Sequence, residues 1–226
     1  MKREKLKKYL QWDIDTFGIG LKYIIDLVPP SHPGQKALEL GANYGGISVC
    51  LVNEKGYDTL CTDLEDPKQK VVAQHPEIQN DPRINFDSVD GLNIKYDKDS
   101  FDLVIFKSVL GYIDSKEKQQ LFINEIYRVL KPGGYFCFLE NAKASGLHRL
   151  ARKKFVSWGE NWRYVTLSEM KEFLSPFKAA DINANGFFTA FAKTNKLKYM
   201  AYLVDRIMVP VIPKSQRYVM YGIAVK

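Results

Sequence analysis

Glu39, Gly41, Asn43 and Gly45 stand in the stretch KALELGANYGGIS, Lys36 to Ser48, where an apolar run ends in an acid and a glycine-rich turn follows. Such a turn, opening onto a helix, can cradle a small ligand with its backbone amides. A dinucleotide site wants G-x-G-x-x-G beneath its pyrophosphate. Here the spacing is G-x-x-x-G-G, and Glu39 precedes the first glycine by two positions. A carboxylate repels a pyrophosphate but favours a ligand that carries an ammonium or a sulfonium, directly or through water. The turn therefore suits an aminoacyl-type cofactor better than a dinucleotide. Two more acids close apolar runs: Asp63 in LCTDL, 18 residues beyond Gly45, and Asp90 in DSVDGLNI. Taken singly, these three acids also read as a strand-end charge, a helix cap and a turn residue.

Acids at strand ends act together only if a sheet sets those ends side by side. The chain supplies the pattern for one. KALEL leads into the helical GGISVCLVNEKG, closed by Gly56. YDTLCTDL, a polar helix or loop around Lys68 to Gln74, RINFDSVD and FDLVIFKS follow. KEKQQLFINEIYRVL has a helical stripe (Phe122, Ile126, Val129) that stops at KPGG, and YFCFLEN comes next. Five short apolar runs interleaved with helices imply a parallel sheet with helices on both faces, its ligand at the carboxyl ends of the strands. AADINANGFF and RYVMYGIAVK add two more strands. The expected fold is α/β: a doubly wound, mostly parallel seven-stranded sheet, the last strand antiparallel, with a helical lid.

Ahead of the sheet, Leu6, Leu10, Ile14, Phe17, Leu21 and Ile24 recur at helical steps. Gly18 and Gly20 are expected to divide this stripe into two helices, and PPSHPG stops it. The expected organisation is a single domain: a helical cap over 1–33, a cofactor-binding core over 34–141, a basic and aromatic insertion over 142–178, and C-terminal strands over 179–226. Between those strands KYMAYLVDRIMVPVI reads mainly as a core helix, with a lipid-facing or dimer surface as the alternative.

The bulk composition sets limits. A chain of 226 residues, 46% apolar and 13% aromatic, can build a sizeable core and is not a disordered protein. A net charge of +7 is modestly basic and compatible with anionic partners or with a solvated surface alone. Cys50, Cys61 and Cys137 lack metal-ligand spacing and sit in apolar runs, as reduced core residues do. MKREKLKKYLQW is basic, but no apolar signal core follows and no run is long enough for a membrane span. A cytoplasmic protein is expected, with peripheral membrane contact open.

On these motifs the chain resembles the class I S-adenosylmethionine-dependent methyltransferases over roughly residues 36 to 140. Glu39, Gly41 and Gly45 match the family's first motif, with Asn43 in place of its middle glycine. Asn tolerates a positive φ better than most residues, so the turn can survive the change. DGLNIKYDKDSFD looks like the family's D-A-x-x-L-P-F stretch before S-F-D, and LKPGG is its turn before strand five. The resemblance implies S-adenosylmethionine as cofactor, with Asp63 on the ribose hydroxyls and Asp90 on the adenine amino group. It further implies cofactor contacts from Ala42, Leu64, Gly91 and Lys107.

Methyl transfer from a sulfonium is an in-line displacement for which the cofactor brings the reactive carbon. The protein holds the nucleophile in line and excludes water, and a base matters only if the acceptor must lose a proton. Of the three histidines only His148 follows strand five, which makes it the candidate base, with Glu140 the alternative. Tyr112, Arg149, Arg152, Trp162 and Arg163 are the candidate acceptor contacts. The last four belong to an insertion that also carries Lys153, Lys154, Trp158 and Tyr164. Trp12, Asp13 and Asp15 are placed to close over the cofactor or to pack on the sheet edge.

No metal site is expected, since no acid cluster clearly follows strand five. The [D/N/S]-P-P-[Y/F/W] element of base-amine methylation is missing after strand four, and Cys137 lies mid-strand. The reading is O-methylation of a small-molecule or saccharide-type acceptor, anionic, with phosphorylated and lipid-linked forms both open. The rivals are an RNA methyltransferase, a non-catalytic cofactor-binding protein and an oxidoreductase on the related dinucleotide fold.

Overall fold

Successive side chains of a strand point to opposite faces of its sheet, and here both sets are apolar. Ala37, Leu103, Ile105, Cys137 and Leu139 face one core, while Leu38, Val104, Phe106, Phe136 and Phe138 face the other. Strands buried on both sides need helices on both sides. The computed structural model has that architecture; it describes residues 1–155, 162–192 and 194–226, without the side chains of 153–155 and 195.

Two helices come first, α1 (Arg3–Leu10) and α2 (Ile14–Leu27). The sheet then begins with β1 (Lys36–Leu40), α3 (Gly46–Lys55), β2 (Asp58–Asp63), α4 (Lys68–Gln74) and β3 (Ile84–Ser88). It continues through β4 (Phe101–Lys107), α5 (Lys116–Val129) and β5 (Leu130–Asn141). After α6 (Gly146–Phe155) and α7 (Leu167–Phe173) come β6 (Ala179–Asn185), α8 (Asn195–Met208) and β7 (Val219–Val225). The strand order is β3-β2-β1-β4-β5-β7-β6, with β7 antiparallel to both its neighbours. The order reverses between β1 and β4, and that switch point opens the crevice in which such sheets hold ligands.

Three local expectations are corrected. Gly18 and Gly20 do not divide the N-terminal stripe; both lie inside α2. A Cβ on Gly20 would stand 2.6 Å from Leu139, so this glycine lets α2 settle on β5. The break falls instead at Gln11 to Asp13, where Gln11 and Asp13 take φ of 65° and 45°. The KPGG turn does not precede β5 but lies within it as an irregularity. Phe101 pairs with Leu130 and Leu103 with Tyr135, so Lys131 to Gly134 are looped out and tied by Lys226 to Gly133 and Gly134. Finally, α8 is not a core helix, since Leu197, Met200, Val204 and Ile207 are exposed.

Candidate cofactor-binding cleft

The turn after β1 is shaped by what its backbone must touch. Gly41 has a φ of +68°, and a Cβ there would stand 2.5 Å from the Val109 side chain. Asn43 takes a φ of +51°, as the turn requires where the family motif has glycine, and its amide donates to Asp63 Oδ2 at 2.8 Å. Gly45 caps α3 and does not itself line the cleft. At Gly46 a Cβ would come within 2.2 Å of the Tyr9 carbonyl oxygen, so the last turn of α1 rests directly on the first turn of α3.

Together these elements enclose a cleft of about 910 Å³ above the carboxyl ends of β1, β2, β3 and β4. Glu39, Gly41, Ala42, Asn43, Asp63, Leu64, Asp90, Gly91 and Lys107 all line it. Asp63 accepts the amide of Asn43 on one oxygen and that of Leu64 on the other, both at 2.8 Å. A carboxylate offers about four acceptor sites, so each oxygen keeps capacity for a ligand hydroxyl. Asp90 is exposed and accepts the Leu92 amide at 2.9 Å.

Glu39 is only 2% exposed and receives both the amide and the hydroxyl of Ser48. Burial pushes its carboxyl up to about 7, against the pull of those bonds and of Lys107. Lys107 sits at the end of β4 with its Nζ 4.5 Å from the Trp12 ring centroid and 5.4 Å from that of Phe17. Burial lowers its ammonium to about 8, although Glu39, Glu140 and Asp13 draw the other way. This end of the cleft thus brings a buried carboxyl and a desolvated ammonium together, with Trp12 against the lysine. Asp13 and Asp15 face elsewhere: Tyr218 donates to Asp13 at 2.6 Å, and Asp15 pairs with Arg3 at 2.9 Å.

The two candidate bases are outside the cleft. Glu140 is fully buried and accepts the amides of Val109, Leu110 and Asn141 at 2.9, 2.8 and 2.7 Å, so it holds the loop after β4. His148 is 1% exposed, its Nε2 2.9 Å from the Phe187 carbonyl and its Nδ1 2.7 Å from Ser145 Oγ. A carbonyl only accepts, so Nε2 carries the proton and Nδ1 accepts from the serine. Burial lowers the pKa of this ring, which keeps it neutral and committed to those two partners.

Of the acceptor candidates, Tyr112 and Trp162 do line the cleft, packed edge to face with centroids 4.6 Å apart. The three arginines do not. Arg152 donates to the Ala142 carbonyl at 2.8 Å and lies 3.9 Å over the Tyr164 ring. Arg163 pairs with Gln119 and Glu169, and Arg149 is exposed away from the lining. Trp158 and the side chains of Lys153 and Lys154 lie outside the described residues. Sequence reasoning missed Tyr9, Gln11, Tyr44, Asp114 and Lys118, all of which line the cleft. Asp114, just ahead of α5, and Lys118 on its first turn form an ion pair at 2.9 Å. The start of α5, on the loop that leaves β4, was the available signal for them.

A sheet in this order, with a glycine turn after β1 and acids after β2 and β3, defines the fold of class I S-adenosylmethionine-dependent methyltransferases. Residues 38–138 match the family model described as a methyltransferase domain, in agreement with the resemblance that the motifs carry. The chain is 28% identical over 174 residues to phosphoethanolamine N-methyltransferase 2 of Caenorhabditis elegans, covering 76% of this chain and 37% of that protein. It is 29% identical over 114 residues to norajmaline N-methyltransferase of Rauvolfia serpentina, covering 50% of this chain and 38% of the relative. The chain therefore spans well under half the length of these relatives. Among solved structures, phosphoethanolamine N-methyltransferase 2 of Haemonchus contortus in complex with S-adenosyl-L-methionine superposes with a TM-score of 0.67 at 18% identity. That match covers 100% of this chain and 57% of the other, and it shows a shared fold.

Proposed function

We propose that the protein transfers a methyl group from S-adenosylmethionine to a small-molecule acceptor, and that the atom methylated is an amine nitrogen. The observation that carries this reading is the composition of the cleft. Acids at the ends of β1, β2 and β3 and an ammonium at the end of β4 line one part of it. Trp12, Tyr112 and Trp162 line the mouth, and no imidazole lines it among the described residues.

The cofactor supplies an electrophilic methyl carbon on a sulfonium. Asp63 has acceptor capacity for a ribose diol, and exposed Asp90 for an adenine amino group. Lys107 is placed to pair with the methionyl carboxylate, a charge that Glu39 alone would repel. Trp12 and α1 exclude water from that end. A hydroxyl acceptor must surrender a proton to a base, whereas an unprotonated amine attacks with its own lone pair. Aromatic faces also suit an amine or ammonium, and the N-methyltransferase relatives accord with this choice. O-methylation, expected from the sequence, is the second reading, favoured by the Tyr112 hydroxyl at the mouth. The test is incubation with S-adenosylmethionine and a panel of small amines, amino alcohols and phosphorylated amino alcohols, products being located by mass spectrometry. N-methylated products support the proposal, and products methylated only on oxygen overturn the choice of atom.

The role of Lys107 has its own test. Pairing with a ligand carboxylate stabilises the protonated amine, so affinity is fully present below the free-state pKa of about 8 and declines above it. S-adenosylhomocysteine binding should weaken as pH rises from about 8 to about 10, by up to about tenfold per pH unit. Lys107→Met should bind about tenfold more weakly at neutral pH and lose this part of the pH dependence. The ligand's own amino group titrates equally in both proteins, so the difference between the two curves reports Lys107. Parallel curves would remove Lys107 from the site.

A further inference from the structure

The exposed side of α8 carries Leu197, Met200, Leu203, Val204 and Ile207, one face of a helix at three- and four-residue steps, and Val211 extends it. Ile207 and Val211 are 76% and 74% exposed. The opposite side of α8 is pinned. Asp205, 3% exposed, accepts the amides of Phe187, Phe188 and Thr189 and the Thr189 hydroxyl at 2.6 to 3.1 Å. These bonds fix which face of the helix looks outward. The turn Phe188–Phe191 touches both α8 and α6, and α6 adds Leu147 and Leu150, 61% and 67% exposed. Contiguous apolar surface of this kind marks a contact site.

The charges around it decide the partner. Lys196, Arg206, Arg149 and Lys214 are exposed on or beside these elements. Among the described residues of α6, the Phe188–Phe191 turn and α8, the single carboxylate is Asp205, and it is turned inward. Two copies joined through this face would set cation against cation across the seam. An anionic lipid surface meets both requirements: headgroups for the lysines and arginines, and the acyl boundary for the apolar stripe. No helix among the described residues is long and apolar enough to cross a membrane, so the contact is with the surface.

We infer that α8, with the adjoining α6 face, docks the protein on an anionic membrane surface. The Arg3 guanidinium lies 5.9 Å from the Tyr199 ring centroid and so links α8 to α1, whose Tyr9 and Leu10 line the cleft.

Co-sedimentation with vesicles tests the inference without reference to methyl transfer. The protein is expected to pellet with phosphatidylcholine–phosphatidylglycerol vesicles, far less with phosphatidylcholine alone, and less at high salt. The double variant Ile207→Glu, Val211→Glu should lose binding by about tenfold or more with an unchanged thermal melt, because both side chains already face solvent. Lys196→Glu with Arg206→Glu should abolish the preference for phosphatidylglycerol. Failure to pellet with either vesicle overturns the proposal, as does equal pelleting of wild type and the apolar double variant. A dimer in sedimentation equilibrium that the same double variant dissociates would assign the face to a second copy instead, and also overturns it.

Discussion

Glu140→Ala is expected to destabilise the fold by about 3–5 kcal/mol, measured by urea denaturation, since it strips three buried amides of their acceptor at about 1–3 kcal/mol each. The amides belong to Val109, Leu110 and Asn141, so the substitution loosens the end of β5 and the loop after β4 together. Val109 in turn abuts Gly41, and the damage should reach the cofactor turn. Glu140→Gln should cost less. With its oxygen towards Val109 and Leu110 it keeps two of the three bonds, but sets an amide nitrogen against the Asn141 amide.

The pH dependence separates this positioning role from plain volume. Burial pushes Glu140 up to about 7, so the folded state holds a proton there that the unfolded chain releases near 4.5. The stability tied to that proton is present at low pH and is lost as pH rises from about 4.5 through 7. Glu39 contributes in the same direction, with its carboxyl also near 7. Across this window the two carboxyls tilt stability downward, while buried His75 and His148, lowered from 6.5, tilt it upward. Glu140→Gln should remove its share of the downward tilt and so shift the slope upward relative to wild type. An unchanged slope in that variant would show that Glu140 does not carry the proton.

Much of the cleft was legible because its residues sit where strands end. Asp63 closes β2 and Asp90 lies two residues beyond β3, where short apolar runs in the sequence stop at an acid. Asn43 was legible too, because a positive φ restricts which residues can stand there. The direction of a side chain beyond a strand end is a different matter. His148, Arg152 and Arg163 follow β5 closely enough to suggest an acceptor site, yet each is spent on an internal partner: the Phe187 carbonyl, the Ala142 carbonyl, and Gln119 with Glu169. Such partners are distant in sequence and carry no local pattern. Gly20 misled for a related reason. A helical glycine reads as a breaker, but its missing Cβ is what lets α2 contact β5. The outward face of α8 was open in the sequence because an apolar stripe fits a core and a surface equally well.

The same geometry answers the rivals unequally. Arg152 and Arg163, needed for phosphate contacts in an RNA-binding reading, are already engaged inside the fold. A pyrophosphate in the turn would meet Glu39 and the G-x-x-x-G-G spacing that counted against a dinucleotide at the outset.

Titration of S-adenosylhomocysteine into the wild type and into Asp63→Ala by calorimetry tests the central claim most directly. Asp63 is the strand-end acid that both faces the ligand space and holds the turn, through the amides of Asn43 and Leu64. Its loss should remove ligand hydrogen bonds to a charged acceptor and slacken the turn, weakening binding by about 100-fold, or about 2.8 kcal/mol. Asp63→Asn, which keeps one acceptor oxygen, should fall about tenfold. The account predicts one-to-one, micromolar binding to the wild type and this graded loss in the variants. No heat of binding in the wild type, or equal affinity in Asp63→Ala, would contradict it.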